Sequence, residues 1–269
     1  MGLWGLARQL IGAGSRMPVL GSLVIGSYQA RLPKTGWNLE HPFDRLHGVD
    51  TSGTVPDYML IAGATAYGAA QPSIVCRALA AIPEPRSCHF VDLGCGKGRP
   101  LLVASGIFPT LTGVEISRAL AQVARANAAA FGKAHPQHGR IDIIAGDALA
   151  YALPDQPLVI FLYNPFRFPL MARLVETVEA SLRRRPRDLY IVYYNPVCAE
   201  LFDASRLLER RYAAQLPYDA GEIGYGPEES DAVVIWQNRG NTHPLPVGSP
   251  NTPITIVSPD ARAVVEAVA

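Results

Sequence analysis

The chain has 269 residues, of which 49% are hydrophobic and 17% charged. That length holds one α/β domain of roughly 200–250 residues plus an extension. A formal net charge of +1 supplies no global field for nucleic acid or an anionic membrane. The cysteines Cys76, Cys88, Cys95 and Cys198 include no Cys-x-x-Cys pair, so no disulfide framework is expected and a reducing, cytoplasmic compartment is the simpler setting.

Met1 to Ala30 carries only Arg8 and Arg16 as charges, and Met17 to Ile25 is mostly apolar. That run is shorter than the roughly 20 residues of a membrane-spanning helix and contains Gly21. Leu3, Trp4 and Leu6 stand where a secretory leader would be basic, and Leu6 replaces the Ser or Thr that myristoylation prefers. A packing or oligomerisation segment is favoured over a peripheral membrane helix or a targeting leader. Residues 1–57 are read as an N-terminal extension, with Phe43-Asp44-Arg45 and Gly48-Val49-Asp50-Thr51 forming an ordered loop on the substrate side.

Residues 58–239 hold the main domain. Tyr58 to Ile82 is rich in alanine and aliphatics and predicts one or two helices. These pack over the site ahead, where Tyr67 and Gln71 are candidates to close over a cofactor and Tyr67 a candidate cofactor contact, although plain helix packing is the favoured account of both. An alternation of strands and helices follows. His89–Asp92 is a strand, and Pro100–Ser105 a helix after a tight turn. Leu111–Glu115 is a second strand. Ile116–Phe131 is an alanine-rich helix with Leu120, Val123, Ala124 and Ala128 at helical spacing and Gly132 as its stop. Ile141–Ala145, Leu158–Tyr163 and Leu189–Tyr194 are further strands, the second apolar throughout as expected of burial on both faces. Helices are expected over 169–184 and 199–208, and a strand over Asp231–Trp236. Such alternation predicts a mostly parallel sheet with helices on both faces. Residues 240–269 turn to Asn, Pro, Ser and Thr and read as a loose tail, ending in a short helix over 261–269. No repeat at a period of roughly 20–50 residues is visible.

The informative segment is Asp92-Leu93-Gly94-Cys95-Gly96-Lys97-Gly98. Glycine at a strand-to-helix turn lets backbone N–H groups approach a ligand without side-chain interference. A dinucleotide fingerprint, Gly-x-Gly-x-x-Gly, requires glycine at 99, where this chain has Arg99; that argues against an NAD-dependent oxidoreductase. The third glycine is Gly98, and Asp92 precedes the first by two. A carboxylate there repels a pyrophosphate but suits a ligand carrying an ammonium and a sulfonium. Glu115, about twenty residues on at the end of the second strand, is placed to accept hydrogen bonds from two ribose hydroxyls. Gly146-Asp147-Ala148 ends the third strand on the same crevice, where Asp147 would accept from an adenine amino group.

These motifs resemble the class I, Rossmann-like methyltransferases that use S-adenosylmethionine, over about Tyr58 to Asn238. The resemblance implies a seven-stranded sheet closed by an antiparallel strand, with Ala213–Tyr218 and Asp231–Trp236 as the closing hairpin. It implies S-adenosylmethionine as cofactor, S-adenosylhomocysteine as product and no metal. The implied cofactor residues are Tyr67, Asp92, Leu93, Gly94, Cys95, Gly96, Glu115, Ile116, Gly146, Asp147, Ala148 and Asn164.

Phe161-Leu162-Tyr163-Asn164-Pro165-Phe166 ends the fourth strand, where ligands of such sheets bind. Asn164, Pro165 and Phe166 are the candidate transfer-site residues: an asparagine carbonyl accepts amine protons, and an aromatic ring walls off positive charge. The segment is similar to the Asn/Asp-Pro-Pro-aromatic end of amino-methyltransferases, lacking the second proline. It is also similar to the strand end of the non-SET lysine methyltransferases. An amine acceptor, of a protein lysine or a small molecule, is therefore favoured. O- or C-methylation of a metabolite, a non-catalytic cofactor-binding protein and a plain strand-ending turn at Asn164-Pro165 remain open. Tyr193, Tyr194 and Asn195 end the fifth strand on the same edge. His135 and His138 have ligand spacing but sit in a loop-like stretch, read as solvated rather than metal-binding. Arg183–Arg187 falls at a helix end, where cations complement the dipole.

Overall fold

The structure is a computed structural model that describes residues 36–55, 63–226, 228–246 and 249–256. The apolar run at 17–25, Tyr58 and the expected terminal helix lie outside them. Seven strands form one sheet in the order β3-β2-β1-β4-β5-β7-β6. They are β1 His89–Leu93, β2 Thr110–Glu115, β3 Arg140–Ala145, β4 Leu158–Tyr163, β5 Leu189–Tyr194, β6 Leu208–Pro217 and β7 Ser230–Asn238. The first five pair in parallel, while β7 runs antiparallel to both β5 and β6. This is the Rossmann-like sheet with a closing hairpin that the sequence predicts, although β6 begins earlier and β7 extends further at both ends. Order reverses between β1 and β4, so the crevice outside their carboxyl ends is the ligand position of the fold.

Burial explains the pairing. β4 and β5 are apolar and buried along their length, and two apolar layers pack on the sheet. One contains Ile160, Leu162 and Trp236, with Met171 and Leu174 from helix α5 (Phe168–Arg184). The other contains Phe90, Phe161 and Val192 with Ile74 and Ala78 from α2 (Pro72–Leu79). Edge strand β3 is far more exposed, and no helix separates it in sequence from β4.

Five expectations change. Between residues 63 and 82 the described residues hold only the helix α2; residues 63–71 are not helical, with Tyr67 in a bridge to Val55 and Gln71 at the helix N-cap rather than on the helix. Pro72 sets that start, since its missing N–H is tolerated in the first turn. Helix α4 (Arg118–Ala134) begins where Ser117 Oγ accepts from Leu120 N, and it runs through Gly132, where an added side chain would face open space. The helix expected over 199–208, α6 (Ala199–Asp203), stops short of 208 because Leu208 already pairs with Asn238. Residues 240–246 are packed, not loose: Asp188 accepts from Thr242 N and Thr242 Oγ1, Tyr190 donates to His243 O, and Leu245 is buried.

Residues 42–47 also form a helix, α1 (Pro42–His47), in place of the expected loop. Its cap is His41, whose Nδ1 accepts from Phe43 N at 3.1 Å while Nε2 meets Gln71 Oε1 at 3.0 Å. Only neutral imidazole, with the proton on Nε2, serves both bonds. Burial, and then the neighbouring Arg99 cation, lower its pKa to about 4. A depressed histidine pKa makes the folded state less stable as pH falls below the unfolded value of 6.5, down to about 4. Thermal melts between pH 7 and pH 4 should therefore lose on the order of 2 kcal/mol from this group. His41→Asn, which keeps a cap acceptor without titrating, should flatten that part of the pH profile.

Candidate active site

A cavity of about 270 Å³ lies at the carboxyl ends of β1, β2 and β4. The loop between β1 and α3 (Arg99–Ala104) forms its floor. Gly94 and Gly96 have φ of +85° and +54°, in the region that favours glycine. A Cβ on Gly94 would sit 2.7 Å from Pro165 Cβ, and one on Gly96 would overlap the Tyr67 ring. Two other segments thus close on this turn only because it lacks side chains. Gly98 is the N-cap of α3.

Two carboxylates stand beside the turn. Glu115, at the end of β2, accepts from Gly96 N at 2.9 Å and Ser117 N at 2.8 Å. Burial raises its pKa, and those backbone donors pull it back. Asp92 is buried and lines the cavity, and its Oδ2 has no hydrogen-bond partner. Burial, then the charge of Glu115, push its pKa well up. An orphaned carboxylate oxygen on a residue lining a cavity calls for a donor from a ligand. The ammonium of an aminoacyl nucleoside meets that need, and the two glycines leave room beside it.

Of the expected cofactor residues, Tyr67, Asp92, Gly94, Cys95, Gly96, Glu115, Ile116, Asp147 and Ala148 line this cavity, whereas Leu93, Gly146 and Asn164 do not. Asp147 is exposed, and its Oδ1 accepts from Leu149 N at 2.9 Å. Pro165 and Phe166 line the cavity as expected. Asn164 has φ +44°; its Oδ1 accepts from Tyr193 Oη at 2.8 Å and Val197 N at 3.4 Å, and its carbonyl accepts from Thr65 Oγ1. Both its oxygens are therefore engaged by protein donors.

Sequence reasoning expects a helical cover over the site and misses the extended strap of residues 64–70 and the cations beneath it. Residues 64–70 line one side of the cavity, tied by the bridge from Ala64 to Phe166 and by Tyr67 Oη donating to Thr51 O at 2.8 Å. Lys97 and Arg99 are almost fully buried. Lys97 Nζ reaches Asp50 Oδ1 and Ser52 O, both at 2.7 Å. Arg99 donates to Thr51 Oγ1 and Ala70 O, and lies 3.6 Å from Asp44 Oδ1. Asp44 in turn accepts from the backbone N–H and hydroxyl groups of Thr51 and Ser52. Two cations next to a buried glycine loop are a signal that acids elsewhere must meet them; Asp44 and Asp50 do. Tyr163, Leu149, Leu170 and Arg173 also line the cavity, and no motif marks them in the sequence.

The other sequence candidates lie elsewhere. His135 Nε2 meets His47 Nδ1 at 3.0 Å and its ring stacks on His138. Among the described residues no group of three His, Cys, Asp or Glu forms a metal site. Arg183 pairs with Glu179 and Arg184 with Asp155, which marks a paired helix end.

Residues 91–164 match the family model described as a methyltransferase domain. With the strand order and the loop geometry, this defines a nucleotide-binding fold of methyltransferase type. Over residues 91–164 the chain therefore carries a methyltransferase domain, set on the Rossmann-like sheet order that the resemblance to the S-adenosylmethionine-dependent enzymes implies. No curated protein sequence matches it. Among solved structures it is similar to a dimethyladenosine transferase from Plasmodium falciparum, with 12% identity, TM-score 0.44 and coverage of 63% of this chain and 62% of that one. It is similar also to TrmN from Thermus thermophilus, at 15% identity, TM-score 0.45 and coverage of 62% and 49%. A third is the O-methyltransferase from Bacillus cereus, at 14% identity, TM-score 0.46 and coverage of 64% and 83%. The chain thus spans less than two thirds of the length of the first two.

Gly96→Ala should weaken S-adenosylhomocysteine binding by at least about 100-fold in calorimetry, since the methyl group meets the Tyr67 ring and the backbone is strained. Adding Tyr67→Ala should restore part of that loss, because it removes the clash but not the strain.

Proposed function

We propose that the protein transfers a methyl group from S-adenosylmethionine to an amine nitrogen. The observation that carries the cofactor assignment is Asp92, buried beside the glycine loop with one carboxylate oxygen unpartnered. In this reading Asp92 takes the ammonium of the methionine part, and Gly94, Cys95 and Gly96 give it backbone room next to Leu93. Glu115 holds the ribose hydroxyls with Ile116 against the ring. Asp147 takes the adenine amino group, flanked by Gly146 and Ala148, and Tyr67 closes over the methionine end. The bound cofactor supplies an already activated methyl group, so the chain has mainly to align the nucleophile and keep it unprotonated.

Phe166 and Pro165 wall the transfer site. Asn164 acts by holding that wall: its side chain is anchored by Tyr193 and its carbonyl by Thr65, which fixes the positive-φ turn into Pro165. A reducing, cytoplasmic compartment is part of the same reading, resting on a cysteine spacing that offers no disulfide framework. Among the described residues, no helix is long and apolar enough to cross a membrane.

Calorimetry with S-adenosylmethionine, S-adenosylhomocysteine and NAD tests the cofactor. Both sulfur nucleosides should bind and NAD should not; no binding of either at millimolar concentration would sink the assignment. Asp92→Asn should weaken both by about tenfold, since a neutral amide loses the charge on the ammonium. Incubating tritiated cofactor with a cell lysate then separates protein label from small-molecule label. Asn164→Gly, which keeps the positive φ, should bind S-adenosylhomocysteine more tightly than Asn164→Ala; equal loss in both would show that the backbone shape is not its contribution.

A further inference from the structure

One buried carboxylate at the same edge of the sheet has no part in cofactor binding. Asp231 opens β7, whose antiparallel course brings its first residues to the carboxyl end of β5. It is 6% exposed, and its Oδ2 accepts from the hydroxyls of both Tyr194 and Tyr218. Tyr194 ends β5, and its ring packs against Tyr163 with centroids 4.2 Å apart. Tyr163 lines the cavity beside Pro165 and Phe166. A chain of aromatic side chains therefore leads from the cavity wall to a buried acid.

We infer that Tyr163, Tyr194, Tyr218 and Asp231 form a subsite that recognises the ammonium of the acceptor. The inference rests on the amine reading above. An aliphatic amine reaches the protein near neutral pH as R–NH3+, which has no lone pair to react. Tyr163 and Phe166 line the cavity with aromatic rings suited to that cation, and the Asp231 charge stands behind Tyr163 through Tyr194. The charge of Asp231, held by the hydroxyls of Tyr194 and Tyr218, acts on the cavity wall through the packed rings of Tyr194 and Tyr163 and favours a cationic acceptor over a neutral or anionic one.

Asp231 does not touch the cavity, so it is a positioning residue acting through the tyrosines. The other charged or titratable groups facing the cavity are Asp92, Glu115, Asp147, Arg99, Arg173, Cys95 and Tyr67. Asp92 and Glu115 lie beside the glycine loop, on the cofactor side.

The test uses the full chain saturated with S-adenosylhomocysteine and n-butylammonium as the probe, with 1-butanol and butyrate as neutral and anionic controls. The ammonium should bind in preference to both, and its binding should weaken as pH falls and Asp231 is protonated. Asp231→Asn and Tyr194→Phe should each weaken ammonium binding by about tenfold while leaving S-adenosylhomocysteine affinity within about twofold. Asp231→Glu should recover part of the loss. The inference is overturned by butyrate binding as well as the ammonium, by ammonium binding that ignores Asp231→Asn, or by both variants losing S-adenosylhomocysteine, which would make the cluster a buttress. Failure of the wild-type chain to bind S-adenosylhomocysteine overturns the cofactor assignment instead.

Discussion

The site depends on how closely other parts of the chain approach the backbone at Gly94 and Gly96. Pro165 from the end of β4 and Tyr67 from the strap both occupy space that any side chain on those two residues would need. The turn is thereby held from two sides, and the same absence of side chains leaves the backbone open toward the cavity. Asp92 and Glu115 then stand on neighbouring strands β1 and β2, paired in parallel register, with the turn beside them. Their separation from solvent raises both pKa values, and Glu115 is satisfied by backbone donors where Asp92 Oδ2 is not.

The buried cations give the arrangement its second support. Lys97 and Arg99 belong to the loop and helix that a ligand would contact, yet their charges are answered by Asp50 and by Asp44 with the hydroxyls of Thr51 and Ser52. Removing one partner of such a buried set costs more than the set contributes, because the other is left uncompensated. Residues 41–55 are therefore mechanically part of the glycine loop, and the bond from His41 to Gln71 ties them to the start of α2.

What is legible in the sequence follows from periodicity and spacing. The apolar runs at 158–163 and 189–194 and the glycine spacing at 94–98 depend on local burial and local backbone geometry, and each appears where it is expected. Alanine-rich composition favours a helix around Tyr67, but the bridge from Tyr67 to Val55 competes for that backbone, and the helix waits for Pro72. Gly132 has the look of a helix stop, but a glycine facing open space costs a helix only about 1 kcal/mol, and the rings of Phe131, His135 and His47 pack around that last turn. The orientation of Asn164 is beyond the reach of spacing, since it depends on Tyr193 and Thr65, 29 and 99 residues away. The packing of residues 240–246 is hidden for the same reason: composition suggests a loose tail, whereas Asp188 supplies acceptors for it from more than 50 residues away.

The strap has a kinetic side. Residues 64–70 cross one side of the cavity and are pinned at Ala64 to Phe166, at Thr65 to Asn164 and at Tyr67 to Thr51. Those few polar contacts hold the strap against that side of the cavity. In the proposed methyl transfer, escape of the spent nucleoside would meet the Thr65 hydroxyl and the Tyr67 phenol, contacts that stand apart from the reacting atoms.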